Sequence, residues 1–114
     1  MHNFLDLSVE VVRMAEFKAI DKDELKEGEA KVVDVNGTEI ALFNIGGKFF
    51  AISNTCMHRG GPLGDGMLNK DVVTCPWHGW QFNVKTGVSI VNPAAKVKTY
   101  PVKIKDRDVM VALD

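Results

Sequence analysis

The sequence lacks several features that would assign it to a large class of proteins. Its 114 residues carry a formal net charge of −1, so it has neither the basic footprint of a nucleic-acid-binding domain nor a polybasic membrane patch. No apolar run approaches the roughly 18 residues that a membrane-spanning helix needs. The N-terminus has no basic leader and carries Asp6 and Glu10 early, unlike a secretory signal. We therefore expect no nucleic-acid partner and no membrane association.

Cysteine and histidine are also scarce, and most of them lie together. Cys56 and Cys75 are the only cysteines, and two unpaired cysteines without a signal sequence indicate a cytoplasmic protein. His58 follows the first cysteine after one intervening residue, and His78 follows the second after two. Only one of the three histidines lies elsewhere. This concentration of soft ligands in two short segments predicts one metal site with two Cys and two His ligands.

The pattern is compatible with two metals. Zinc binds two Cys and two His tetrahedrally, but zinc fingers usually keep the cysteines in one segment and the histidines in the other. Here each segment carries one of each, and sixteen residues separate His58 from Cys75. That arrangement favours a two-iron cluster in which the cysteines hold one iron, the histidines hold the other, and two sulfides bridge them. A structural zinc module is the alternative.

Short strands and tight turns predict a single all-β domain, a small antiparallel sandwich or barrel. Asn36-Gly37 and Gly46-Gly47 predict the turns of a three-stranded meander, because these residues tolerate positive φ. A single helical turn is expected at residues 21–25, with a capping box between Asp21 and Glu24. The strands are predicted at 11–20, 30–35, 38–45, 48–53, 67–68, 72–74, 80–84, 88–91, 96–105 and 109–113, with an edge position or bulge at Tyr100-Pro101.

The two ligand pairs resemble the motif of the Rieske family, and so do their neighbours from about residue 11 to 113. The resemblance implies one Rieske-type [2Fe-2S] cluster held by Cys56, His58, Cys75 and His78. It also implies the Rieske fold, a barrel-like base domain with a cluster-binding subdomain inserted at about residues 55–91. Residues 1–10 are then a loose N-terminal extension of a single domain, 1–114. The matching neighbours are Arg59-Gly60-Gly61-Pro62-Leu63, Gly79-Trp80, and Asn92-Pro93 in place of the family's proline loop.

The resemblance also implies roles for single residues. The histidines of the family bind iron through Nδ1 and leave Nε2 at the surface, so His58 and His78 are expected to be the exit for the electron. The amides of three glycines are expected to donate to the bridging sulfides: Gly60, Gly61 and Gly79. Trp80 is expected to pack beneath the loop. Four residues are expected to surround the contact patch for partners, with Pro93 also covering the cluster: Met57, Arg59, Trp77 and Pro93.

The sequence departs from the Rieske proteins of quinol-oxidising complexes. That branch carries a disulfide between the two cluster loops, where this chain has Gly61 and Trp77. It also carries serine and tyrosine hydroxyls that stabilise the reduced cluster, where this chain has Trp80 and Phe82. We therefore expect a reduction potential at the low end of the Rieske range, about −150 mV and independent of pH near neutrality, which excludes quinol oxidation.

By resemblance, the chain is expected to be a soluble Rieske-type ferredoxin, a one-electron carrier and not an enzyme. It would pass electrons from a flavin-dependent reductase to the terminal oxygenase of an aromatic-ring-hydroxylating system, through transient encounters and as a monomer. An oxygenase would need a further iron site of two histidines and a carboxylate, for which one histidine is too few. The small subunit of an assimilatory nitrite reductase is the remaining alternative, although such subunits often lack some of the ligands.

Overall fold

The computed structural model describes residues 15–55, 61–77 and 79–113. Every strand pair in these residues is antiparallel, which confirms the all-β prediction. Within the same residues, no helix is long and apolar enough to span a bilayer. The strands are β1 Ala15–Asp21, β2 Ala30–Val35, β3 Thr38–Ile45, β4 Lys48–Ser53, β5 Met67–Asn69, β6 Val72–Thr74, β7 Gln81–Asn83, β8 Thr99–Tyr100, β9 Val102–Lys105 and β10 Asp108–Leu113, with 3₁₀ turns at Lys22–Glu24 and Leu63–Asp65.

The strands form three sheets, and β3 lies at their centre. The middle sheet has the order β2-β3-β4-β8, and it is flanked by the sheets β1-β10-β9 and β5-β6-β7. Ile40 and Leu42 pack in one apolar cluster with residues of β1 and β10. Ala41 and Phe43 point the other way, into a second cluster that includes Phe82 of β7. Because alternate β3 residues point to opposite faces, the strand is buried on both sides and joins the flanking sheets into one body.

The meander follows the sequence prediction closely. Asn36 and Gly37 have φ values of 49° and 86°, and Gly46 and Gly47 have 62° and 90°, so both two-residue turns use the left-handed region. The predicted capping box is also present, because the amide of Asp21 donates to the carboxylate of Glu24 at 2.8 Å.

Two predicted strands are wrong. No strand forms at 88–91, where Val88 bridges to Lys96 on one side and Ser89 bridges to Phe82 on the other. The segment forms a single isolated bridge with each neighbour, so no ladder extends along either side. The predicted strand 96–105 is also broken, since its regular structure begins only with β8 and is interrupted at Pro101. The interruption agrees with the predicted irregularity there: β8 pairs with β4, whereas β9 pairs with β10 in another sheet.

Other differences are small. The predicted loop 59–66 contains the 3₁₀ turn Leu63–Asp65 in its described part. The predicted first strand is observed from Ala15 onward, and residues 11–14 lie outside the described residues, as do residues 1–10 with their predicted extension.

Lys18 on β1 joins two carboxylates, and this arrangement predicts a pH dependence. Its ammonium lies 2.7 Å from Asp21 and 3.3 Å from Asp108. Hydrogen bonding to Lys18 lowers the pKa of Asp21 below its ordinary value of 3.8. A lowered carboxyl pKa adds stability above the unfolded value, and this stability is lost as the pH falls through the folded value. Replacing Lys18 by methionine should raise the pKa of Asp21, measured by NMR titration of its carboxyl carbon.

The matched control is Lys103→Met, because Lys103 pairs with Glu16 at 3.1 Å on the same sheet and not with Asp21. The pKa of Asp21 should stay unchanged in this variant. An equal rise in both variants would show that general surface charge, and not the contact with Lys18, sets the pKa of Asp21.

Candidate metal centre

One of the four sequence-predicted ligands, Cys75, lies in the part of the chain that the structure describes. Cys56, His58 and His78 lie outside the described residues. Cys75 directly follows β6, and only 2% of its surface is exposed. It belongs to the same apolar cluster as Phe43 and Phe82. The core of the protein therefore extends up to the candidate site and fixes this cysteine in place.

A tight turn holds the second ligand segment. The amide of Cys75 donates to the carbonyl of Trp80 at 2.7 Å, and the amide of Gly79 donates to the carbonyl of Cys75 at 3.0 Å. Gly79 has a φ of 75°, a conformation that few other residues adopt readily. The turn therefore returns the chain from β6 to β7 at one end of the sheet.

The hydrogen bond of Gly79 corrects one expectation from the sequence. Its amide was expected to donate to a bridging sulfide, but it is already bonded to the Cys75 carbonyl within the turn. Gly79 serves the site through its backbone conformation instead. Gly60, assigned the same role, lies outside the described residues.

The first ligand segment is closed at its base. Thr55 and Pro62 form an isolated antiparallel bridge, which brackets residues 56–61. Just below the bridge, the carbonyl of Asn54 accepts from the amide of Leu63 at 2.7 Å, and its side-chain Oδ1 accepts from the amide of Gly64 at 2.7 Å. The entry to and exit from the first ligand segment are thus held together by the chain itself.

The two ligand segments meet at Gly61. A Cβ on this residue would lie 2.7 Å from Sγ of Cys75 and 3.0 Å from Cγ of Trp77. The distance to the sulfur is shorter than real Cβ contacts and the distance to the indole is at the tight limit, so a glycine is required for the end of the first segment to lie this close to the second. Gly61 and Trp77 are the positions where the quinol branch carries its disulfide, and here the indole ring packs against the glycine instead.

The structure describes three of the residues that were expected around the site, two tryptophans and Pro93, and the expected role of Pro93 as a cover of the cluster stays a prediction. Trp77 is 58% exposed, as expected of a residue at the rim. Trp80 packs against the apolar cluster, with its ring 6.3 Å from that of Phe82, as expected of a residue beneath the loop. Pro93 is exposed in the turn that follows Asn92. Met57 and Arg59, the other expected rim residues, lie outside the described residues.

Sequence reasoning missed Asn54. It is 3% exposed and is one of three buried polar residues in the described part of the chain. An asparagine between a strand and a cysteine resembles any turn residue in the sequence. The signal that could have identified Asn54 was its position. It directly follows the apolar strand β4, lies two residues before a predicted ligand, and precedes a glycine-rich segment.

Comparison with known proteins identifies the family. The model of the Rieske [2Fe-2S] domain matches residues 15–101. The chain belongs to the Rieske [2Fe-2S] domain family. This membership favours the Rieske-type two-iron cluster over the zinc module that the ligand pattern alone left open.

Individual relatives agree with the family. A ferredoxin component of naphthalene 1,2-dioxygenase/salicylate 5-hydroxylase systems from Ralstonia sp. is 40% identical, over 81% of this chain and 89% of that protein. The biphenyl dioxygenase ferredoxin subunit of Pseudomonas sp. (strain KKS102) is 41% identical, over 82% and 88%. In a complex of reduced oxygenase and oxidised ferredoxin of carbazole 1,9a-dioxygenase, one chain superposes with a TM-score of 0.78 and 31% identity, over 85% of this chain and 92% of that one.

A more distant neighbour shows the fold alone. A Mycobacterium tuberculosis protein named after the small subunit of NADH-dependent nitrite reductase superposes with a TM-score of 0.82 at 22% identity, over 89% of this chain and 96% of that one. The Rieske fold is therefore shared between the two kinds of protein.

The described part of the site fits a Rieske cluster. Cys75 is a free cysteine, buried among apolar side chains, and the backbone of Gly61 lies directly beside its sulfur. A buried thiolate is costly unless a cation compensates its charge, and iron bound to the sulfur supplies that compensation. The position of Cys75 is therefore compatible with a thiolate ligand, and its assignment as a ligand stays a prediction.

Proposed function

We propose that this Rieske protein is a one-electron carrier whose cluster is held by Cys56, His58, Cys75 and His78. The meeting of both ligand segments at Gly61, beside the buried sulfur of Cys75, carries the proposal. When bound, the cluster accepts and releases a single electron. The chain itself shields one side of the site with its apolar cluster and leaves the Trp77 edge exposed to partners.

The proposed partners are a flavin-dependent reductase and the terminal oxygenase of an aromatic-ring-hydroxylating system, with the chain acting as a monomer in the cytoplasm. The support comes from the relatives, which are named as ferredoxin components of such systems, and from the neighbour solved together with its oxygenase. Within the single domain 1–114, the sheet β5-β6-β7 supports a cluster-binding subdomain at about residues 55–91, with 1–10 as an extension.

Stopped-flow absorption tests this function. The oxidised protein should be bleached when it is mixed with the reduced reductase of a naphthalene dioxygenase system. The reduced protein, separated from the reductase, should regain its colour when it is mixed with oxidised terminal oxygenase. Each phase should account for one electron per protein. A protein that receives electrons from the reductase but passes none to the oxygenase would contradict the proposed role.

The nitrite reductase alternative has support from the fold alone, because its structural neighbour is only 22% identical. It predicts a stable complex with a large catalytic subunit, whereas a carrier should bind transiently. Stimulation of a nitrite reductase large subunit, together with no transfer to an oxygenase, would favour the alternative.

The reduction potential is expected to lie near about −150 mV and to stay constant across neutral pH. Phe82 is fully buried and Trp80 packs against it, so neither position supplies the hydroxyl that stabilises a reduced cluster in the quinol branch. A spectroelectrochemical titration measures the value. A potential above zero would show that other groups replace the missing hydroxyls.

A further inference from the structure

Asn54 is the most highly connected polar residue beside the site. Its own amide donates to the carbonyl of Glu39 at 3.3 Å, and its carbonyl accepts from Leu63 at 2.7 Å. Its side-chain Oδ1 accepts from the amide of Gly64 at 2.7 Å, and its Nδ2 donates to Oε1 of Glu39 at 3.2 Å. One buried residue therefore links β3, the end of β4 and the segment that follows the first ligand segment.

The structure is built to allow this contact. A Cβ on Gly64 would lie 2.6 Å from Cγ2 of Val32 and 3.1 Å from Oδ1 of Asn54, so a larger residue would push the backbone away from the asparagine. Glu39 also sets which way the amide group points. A carboxylate only accepts hydrogen bonds, so it takes the Nδ2 end and leaves Oδ1 for Gly64.

We propose that Asn54 is a positioning residue that clamps the first ligand segment closed, and that Glu39 fixes the orientation of its side-chain amide. This inference rests on the proposed function, because the clamped residues 56–61 include the proposed ligands Cys56 and His58. Without these hydrogen bonds, the residues that flank the segment can separate before the rest of the fold unfolds, and the proposed ligands can then lose the cluster to a competing chelator. Asn54 thus slows the loss of the cluster by more than its contribution to the free energy of unfolding would account for.

Asn44 provides a matched control. It is also a buried asparagine, 6% exposed, whose side chain makes two hydrogen bonds, in this case both to backbone groups. Its Nδ2 donates to Leu25 at 2.7 Å, and its Oδ1 accepts from Gly47 at 3.0 Å. Neither partner belongs to the first ligand segment or to the residues that flank it, so Asn44→Ala should lower stability without separating the ends of that segment.

The first experiment compares the rate of cluster loss to an iron chelator, followed by visible absorption, in the parent protein and in both alanine variants. Denaturant unfolding measures their global stability. Asn54→Ala should lose the cluster about tenfold faster, because a buried hydrogen-bonding group is left without its partner. Asn44→Ala, destabilised to a similar extent, should lose it at nearly the parent rate. Equal rates in the two variants would overturn the inference.

A second experiment exchanges the hydrogen-bond partners and avoids a cavity. Asn54→Asp should accelerate cluster loss, because two carboxylates then face each other. Adding Glu39→Gln supplies a donor to the new carboxylate and should restore retention, whereas Glu39→Gln alone should have little effect. Failure of this rescue would overturn the assigned role of Glu39.

A parent protein without any cluster would overturn the proposed function and this inference together. A parent protein that holds a cluster, and loses it no faster after Asn54→Ala, would overturn only the inference.

Discussion

Replacing Cys75 by alanine is expected to yield a folded, colourless protein with no reduced EPR signal. Cys75 is 2% exposed, its sulfur lies directly beside Gly61, and no other cysteine occurs between residues 61 and 113 to replace it. Alanine offers no donor atom to iron, so one thiolate ligand is lost outright. Iron and sulfide analysis, visible absorption and EPR of the purified variant measure the effect.

Val73→Ala is the control for packing. Val73 is fully buried in the same apolar cluster, and it lies in β6, the strand that directly precedes Cys75. Its truncation should cost about 2 kcal/mol of unfolding free energy through lost burial and a small cavity. The protein should nevertheless keep its colour. If Val73→Ala also lost the cluster, or if Cys75→Ala kept it, Cys75 would act through packing and not as a ligand.

Replacing Gly61 by alanine is expected to keep the two ligand segments apart. Cluster binding should then be lost as completely as in Cys75→Ala. The added methyl carbon would lie 2.7 Å from Sγ of Cys75, closer than real side chains approach. The sulfur cannot move away, because Cys75 is held by the turn and by the apolar cluster. Cluster content after reconstitution with iron and sulfide measures the effect.

A double variant separates the two contacts of Gly61. The methyl carbon would also lie 3.0 Å from Cγ of Trp77, but this side chain is largely exposed and can be removed. Gly61→Ala with Trp77→Ala should therefore still fail to bind the cluster, whereas Trp77→Ala alone should bind it. Recovery in the double variant would show that the indole, and not the sulfur, requires a glycine at this position.

The sequence predicts the fold best where turn chemistry and strand pattern agree. The strands 30–35, 38–45 and 48–53 have the predicted bounds, because two left-handed turns fix their register. Prediction fails at 88–91, where a segment of strand-forming residues lies between two different partners and forms one isolated bridge with each. No local signal reveals that arrangement, because it depends on where the segments of the third sheet come together.

The candidate site also has one part that the sequence predicts and one part that it does not. The spacing of cysteine and histidine predicts the ligands and the family, because it is a local property of two segments. The contacts that hold the segments together are long-range, and none of them follows from the pattern. Asn54 bonds to residues ten and fifteen positions away, and Gly61 touches a cysteine on the other segment. The assignment of the Gly79 amide was wrong because its hydrogen bond depends on the detailed turn geometry.

The central claim is that two cysteines and two histidines of this chain hold one two-iron cluster. Pulsed EPR of the chemically reduced protein, grown with ¹⁵N-labelled histidine, tests it most directly. The account predicts a rhombic signal coupled to two histidine nitrogens, and loss of this signal in Cys75→Ala. A reduced cluster without histidine coupling, or a colourless protein that contains zinc, would contradict it.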